Sequence, residues 1–281
     1  MAFGPIDDGS VSTSRKILSM RPADRPEYGN APVVEVAIGV RFERLRKFRQ
    51  AHFGMFWNQL RNDYPTTVDR PKKQNVALPV DGATPSFQFE MTDSAPTDLA
   101  WFISQDDTRL LQLQDDMLLL NWRKVNEVSP YPRFRELKPE FWRAWTLLGS
   151  ISDEQLTPVE VEVTYVNRVD SPDLSFLNGF DASQLAATSD LQQIAQRNTA
   201  TYRVSGIGDQ DGYLTVETTK AHSTDGIPHY LMSLSLRCHV HATESPQVSV
   251  GPVLDRASDL ITRRFTALTT SEWHQTWKRS I

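Results

Sequence analysis

The chain has 281 residues, 39% of them hydrophobic and 23% charged, with a formal net charge of −5 and a single cysteine, Cys238. That length buries a large core, as one big domain or two fused halves, and no apolar run approaches the ~18 residues a membrane span requires. One cysteine excludes an internal disulfide framework and suits a reducing cytoplasm, while the negative balance sets the whole-molecule field against nucleic acid and anionic membrane.

Residues 1–31 carry Pro5, Pro22 and Pro26 without sustained periodicity, which predicts a flexible N-terminal arm. The opening Met-Ala-Phe-Gly-Pro has no basic-then-apolar layout of a signal peptide, so a cytoplasmic location is expected. From Pro32 to Phe42 the residues alternate strictly, with Val34, Val36, Ile38, Val40 and Phe42 on one face and Glu35, Ala37, Gly39 and Arg41 on the other. Helical spacing then runs from Arg44 to Asp63, and Tyr64-Pro65 ends it. Short alternating runs follow as a meander, with strands expected at 75–78, 86–91, 100–104, 109–114 and 117–124. A second helix is expected from Pro132 to Leu148, divided at Pro139.

Pro158 opens an echo of the first strand, Pro158-Val-Glu-Val-Glu-Val-Thr-Tyr-Val-Asn-Arg168. Helical turns over 181–194, hairpin strands at 199–207 and 213–220, a strand from Pro228 to His241 and a helix from Val250 to Leu268 complete the pattern. The prediction is an α+β fold of two similar halves, 32–150 and 151–281, each ordered β-α-β(n)-α. Together they would form a mostly antiparallel sheet with long helices on one face. The order of elements is similar to TATA-binding-protein saddles and to helix-grip folds.

Several residues in sequence order carry a family resemblance. They are Pro32-Val-Val-Glu35 with Arg41-Phe42, Phe102-x-Ser104, Leu111-Gln-Leu113, Leu119-Leu120-Asn121-Trp122, Tyr131 ahead of an aromatic helix, and Tyr165-Val-Asn167-Arg168. With the closing amphipathic helix around Phe265, the chain from about residue 31 onward resembles a sporadically distributed, uncharacterised bacterial family of similar length. The resemblance implies no particular activity. Its distribution suggests an accessory role, such as defence or stress.

The candidate site residues lie on the two proline-led strands. If those strands neighbour each other, Glu35, Glu160 and Glu162 face one another with Arg41 and Arg168 as partners, as structural ion pairs or as a paired-carboxylate site. Tyr165, Asn167 and Arg168 mark the end of the echo strand, where polar side chains satisfy backbone groups or line a ligand site. Arg44, Arg46, Lys47 and Arg49 form a basic patch that serves an anion or simply a solvated helix face. His239 and His241 point the same way from one strand, the beginning of a metal grip that lacks its third ligand. Nucleophile, phosphate-loop and dinucleotide motifs are missing, so no cofactor is expected. The leading expectation is a non-enzymatic binding or regulatory protein that engages a protein partner or itself, since seven Trp and thirteen Phe exceed what one core hides. Behind it stand a small-ligand sensor or enzyme with a pocket between sheet and helices, and then a nucleic-acid binder using Phe87, Phe89 and Phe102.

Overall fold

Alternating apolar runs bury one face of a sheet, and amphipathic helices cover that face. The computed structural model describes residues 25–73, 98–126, 129–179, 197–207, 211–223, 225–241 and 245–280. Along the chain come β1 (Glu27–Tyr28), β2 (Val33–Phe42), α1 (Gln50–Leu60), β3 (Thr66–Arg70), β4 (Leu99–Ile103), β5 (Arg109–Gln114) and β6 (Met117–Arg123). They are followed by α2 (Arg133–Ile151), β7 (Pro158–Val169), a 3-10 turn at Leu174–Phe176, β8 (Arg197–Val204), β9 (Gly212–His222) and β10 (Pro228–His239). The described chain closes with α3 (Pro246–Ser249), α4 (Gly251–Leu268), α5 (Ser271–Thr276) and β11 (Arg279–Ser280).

The fold is mixed α/β, built on a large antiparallel sheet. Nine strands lie in the order β3-β4-β5-β6-β2-β7-β10-β9-β8, and β1 pairs with β11 in a separate two-stranded ribbon. The two proline-led strands, β2 and β7, are therefore direct neighbours at the centre, with Val36 opposite Tyr165 and Arg41 opposite Glu160. Val36, Ile38, Val40, Val161 and Val163 are fully or almost fully buried, in one apolar cluster with Phe56 of α1, Phe141 and Leu148 of α2, and Leu254 and Ile261 of α4. Each large apolar side chain removed from water there stabilises by roughly 1.5–3 kcal/mol. The opposite face of the sheet buries a smaller group, Ala37, Leu99, Met117 and Leu119, against Trp101.

Several sequence expectations shift. A β-bulge lies between the Val33–Asn167 and Glu35–Val166 pairs, so Val33 is buried and Val34 only half-buried; the apolar stripe starts at Val33 and resumes at Val36. The first helix begins at Gln50 rather than Arg44, because the carboxylate of Glu154 captures the backbone N–H groups of Arg46 and Lys47 at 3.2 and 2.7 Å. Arg49 caps it instead, its N–H donating to Nδ1 of His52 at 2.9 Å. Helix α2 runs unbroken through Pro139, whose ring is on the exposed side. Strand β3, Thr-Thr-Val-Asp-Arg, is a mostly exposed edge without apolar alternation, and the sequence reading passed over it.

The expected arm of residues 1–31 is packed from Arg25 onward: Tyr28 is buried, edge-on to Phe265, His274 and Trp277. The strands expected at 75–78 and 86–91, with Phe87 and Phe89, and the helical turns over 181–194 lie outside the described residues. No helix among the described residues is long and apolar enough to cross a membrane.

Candidate functional site

The β2–β7 pair carries polar residues at both ends, on opposite faces of the sheet. At the Arg41 end, Glu160 is 4% exposed and its Oε1 accepts from Nε and Nη2 of Arg237 at 2.9 and 2.7 Å, with Nε of Arg41 at 3.8 Å. Thr164 Oγ1 lies 3.2 Å from Glu162 Oε1 and 2.8 Å from Ser235 Oγ, and its single proton is donated to one or the other. Farther along the same face, toward the other end of β2, Glu35 accepts from Nδ2 of Asn121 at 2.7 Å, and Asn121 in turn accepts from Nε2 of Gln112 at 2.7 Å, a polar relay across β5, β6 and β2. The space between Gly39, Arg41, Glu160 and Glu162 holds no water-sized volume. A paired-carboxylate hydrolysis needs room for a substrate between the acids, and the described side chains leave none between these. Arg168, expected to join them, bonds Asp170 at 2.8 Å; Arg237 of β10 takes that role.

The other end, on the helix-covered face, opens into a cavity of about 100 Å³. Tyr165 and Asn167 of β7 and Val33 of β2 form its floor, Tyr131, Arg133 and Phe134 at the start of α2 one wall, and Thr262 and Phe265 of α4 the other. The segment Arg25–Tyr28 closes over it. Asn167 is 3% exposed and donates to the Met232 carbonyl at 3.2 Å, so it satisfies the neighbouring strand as well as lining the cavity. The Tyr165 hydroxyl lies 2.8 Å from Ser258 Oγ and also meets the hydroxyl of Tyr131. Burial, and the neighbouring Tyr165 phenol, push the Tyr131 hydroxyl well above the ordinary tyrosine range, so it stays protonated as a donor. Nη2 of Arg25 donates to Ser258 Oγ at 2.9 Å and to Thr262 Oγ1 at 3.0 Å. Nη2 of Arg133 donates to the Tyr28 carbonyl at 3.1 Å, and its guanidinium sits 5.7 Å from the centre of the Tyr131 ring.

Of the expected site residues, then, Arg41, Glu160 and Glu162 gather at one end of the face away from the helices, Glu35 shares that face six residues along β2 from Arg41, Tyr165 and Asn167 line the cavity beneath the helices, and Arg168 joins neither group. Arg25, Arg133, Ser258 and Thr262 were not singled out from the sequence. Ser258 and Thr262 carried a readable signal, two hydroxyls four apart beside the buried stripe Ala257, Ile261 and Phe265 of α4. Arg25 carried none, because it falls in the stretch read as a flexible arm.

The basic patch precedes α1, all four of its residues are exposed, and two of its charged groups have partners within the chain. Arg44 bonds Asp115 at 2.7 Å, and Nη1 of Arg49 donates to the carbonyls of Arg46 and Phe48 at 2.7 and 2.8 Å. The anion held by the backbone of Arg46 and Lys47 is the chain's own Glu154. His239 is exposed, with Nδ1 3.3 Å from the Val159 carbonyl, and His241 lies beyond the end of β10. Among the described residues no group of three or more His, Cys, Asp or Glu is placed to hold a metal ion. Phe102 is buried in the core and offers no platform for bases.

Outside these groups, Tyr64 donates to Glu140, which also accepts from Nε of Arg109 at 3.1 Å. This links the end of α1 to α2 and β5 at the rim of an open depression. Comparison with protein-family models, curated proteins and solved structures gave no match.

Proposed function

We propose that this is a small-ligand binding protein of the sensor type, with its site in the cavity between the sheet and helices α2 and α4. The observation that carries the reading is the cavity's lining. Buried polar groups of Tyr131, Tyr165 and Asn167 converge there with the Arg25 guanidinium among aromatic and aliphatic walls, the composition expected of a ligand site. Tyr165 and Asn167 belong to β7, Tyr131 precedes α2, Arg25 lies ahead of β1 and Thr262 of α4 lines the same space, so ligand contact would be reported to all of these at once.

The same reading treats the two halves as copies of one β-α-β(n)-α unit, with the helix-grip-like arrangement placing the pocket under the long helices. It is supported by the strand order outward from the centre, β2-β6-β5-β4 with β3 beyond it on one side and β7-β10-β9-β8 on the other. On this reading the expected protein partner is not required for the site itself, and membership of the sporadically distributed bacterial family remains a compatible proposal.

The test is a thermal-shift screen of small metabolites against the wild type and an Ala31→Phe variant that fills the cavity from its rim. Compounds that stabilise the wild type and not the variant are expected. A screen without hits, or hits retained in full by Ala31→Phe, would remove the site from this cavity.

A further inference from the structure

The cavity is electrically lopsided. Three arginines, Arg25, Arg133 and Arg135, line it against one carboxylate, Glu27, which is exposed at the rim. Arg25 is half-buried and donates only to the neutral hydroxyls of Ser258 and Thr262; Arg133 donates to a carbonyl and lies over a phenol ring. Among the described residues neither guanidinium has a carboxylate within ion-pairing distance, although most other arginines on this chain that reach the interior do, as Arg41, Arg109 and Arg237 illustrate. A guanidinium drawn partly out of water without a counter-charge is unfavourable, and an incoming anion relieves it.

We infer that the ligand is a short-chain carboxylate, its carboxyl group held by Arg25 and Arg133 with the hydroxyls of Tyr131 and Tyr165, and its carbon chain against Val33 and Phe265. This rests on the reading of the cavity as the binding site. Three features choose a carboxylate over other anions. The guanidinium fork matches a planar carboxylate in two parallel hydrogen bonds. The rest of the wall is ring and aliphatic carbon from Val33, Phe134 and Phe265, which suits a hydrocarbon tail and not an inorganic ion. The cavity of about 100 Å³ leaves room beside the guanidiniums for a tail of only a few carbons.

The hydroxyls that Arg25 now contacts have other partners: Ser258 Oγ is bonded to Tyr165, and Thr262 Oγ1 donates to the Ser258 carbonyl at 2.9 Å. An Arg25→Gln variant therefore leaves no orphaned group and is expected to fold. Ligand binding would redirect Arg25 from hydroxyls to the carboxylate without a change in strand pairing.

The experiment is calorimetric titration of the full chain, in chloride buffer, with propionate, butyrate and benzoate, each beside its amide, and with sulfate. The acids are expected to bind at least about tenfold more tightly than the amides, with Arg25→Gln and Arg133→Gln each weakening the acids by about tenfold or more. Arg46→Gln, on the distant basic patch, is expected to change nothing. Amides binding as well as acids, or acid binding indifferent to Arg25→Gln, would overturn the carboxylate assignment while leaving the cavity as the site. Sulfate outcompeting every acid would replace it with an inorganic anion. If no probe binds and Ala31→Phe has no effect on any metabolite, the assignment and the cavity reading fall together.

Discussion

Glu160 carries the carboxylate that two guanidiniums share. Its carboxylate faces Arg237 directly and Arg41 at longer range, in a space closed to water. Removing it breaks the pair with Arg237 and takes the neighbouring carboxylate from the largely buried Arg41, so Glu160→Ala is expected to cost about 3–5 kcal/mol, read as a lower urea midpoint at unchanged slope. Glu162, half-buried with a single hydroxyl donor, is expected to cost under about 1 kcal/mol as Glu162→Gln; equal effects would refute the distinction. A second residue ties stability to pH. Thr269 donates to the Phe265 carbonyl at 2.8 Å, so its oxygen accepts from His274 Nε2–H at 2.9 Å, and Nδ1 faces Nη1 of Arg279 at 3.3 Å. Burial, and then the Arg279 charge, hold the imidazole below the usual histidine range. The unfolded chain then takes the proton more readily, and stability contributed by neutral His274 is lost as pH falls below the unfolded value of about 6.5. Melting temperatures between pH 7.5 and 5.5 should fall more steeply in the wild type than in His274→Gln, and parallel curves would show that His274 does not contribute. The Arg41–Glu160 contact was legible because both residues sit on strands that repeat one pattern. Arg237 was not, because its place beside Glu160 depends on β10 pairing with a strand some seventy positions earlier, and nothing in the alternation of β10 selects that neighbour.

At the level of elements, the long amphipathic stretches were readable and the short polar ones were not. Strands β5 and β6 and helix α4 follow the apolar period closely, whereas β3, β1 and β11 owe their form to pairing alone. The edge strands carry charge, Arg197 and Arg203 on β8 and Asp69 and Arg70 on β3, which discourages strand addition by another chain. Helix α2 tolerates Pro139 at the cost of one hydrogen bond, so Pro139→Ala is expected to raise stability by about 1–3 kcal/mol in chemical denaturation; a loss would mean that the proline is needed for the path of α2. Gly212, at the start of β9, behaves in the opposite sense. A methyl group there would come within 2.6 Å of Ile207 Cγ2 and 3.0 Å of the Arg237 carbonyl oxygen. Gly212→Ala should therefore destabilise by about 1–3 kcal/mol despite stiffening the unfolded chain, and an unchanged denaturation midpoint would contradict the tight approach.

Across the whole molecule, the central β2–β7 pairing makes the two parts of the sheet interdependent. Residues 25–156 expressed alone would expose the buried row of β2 and an unpaired edge, and are expected to show no cooperative melt in circular dichroism. Adding residues 157–280 should restore one, and a cooperative melt of the first segment by itself would show that the pairing is dispensable. Among the described residues the abundance of aromatics does not translate into an aromatic surface. The exposed large apolar side chains among the described residues are Met55, Val125, Tyr202, Ile227 and Val248, scattered over separate elements. Composition alone could not show this, because it counts rings without placing them, and here Trp145 meets Phe42 edge-on and Phe141 at a tilt inside. The β1–β11 ribbon has a mechanical meaning. Glu27 lies opposite Ser280 and Tyr28 opposite Arg279, so the outer ends of the two strands leave from the same side. Tension applied through those ends peels the ribbon one pair at a time instead of shearing it as a unit. The first thing such a pull lifts is Tyr28 together with Arg25, the cover of the cavity, while the nine-stranded sheet still bears no load.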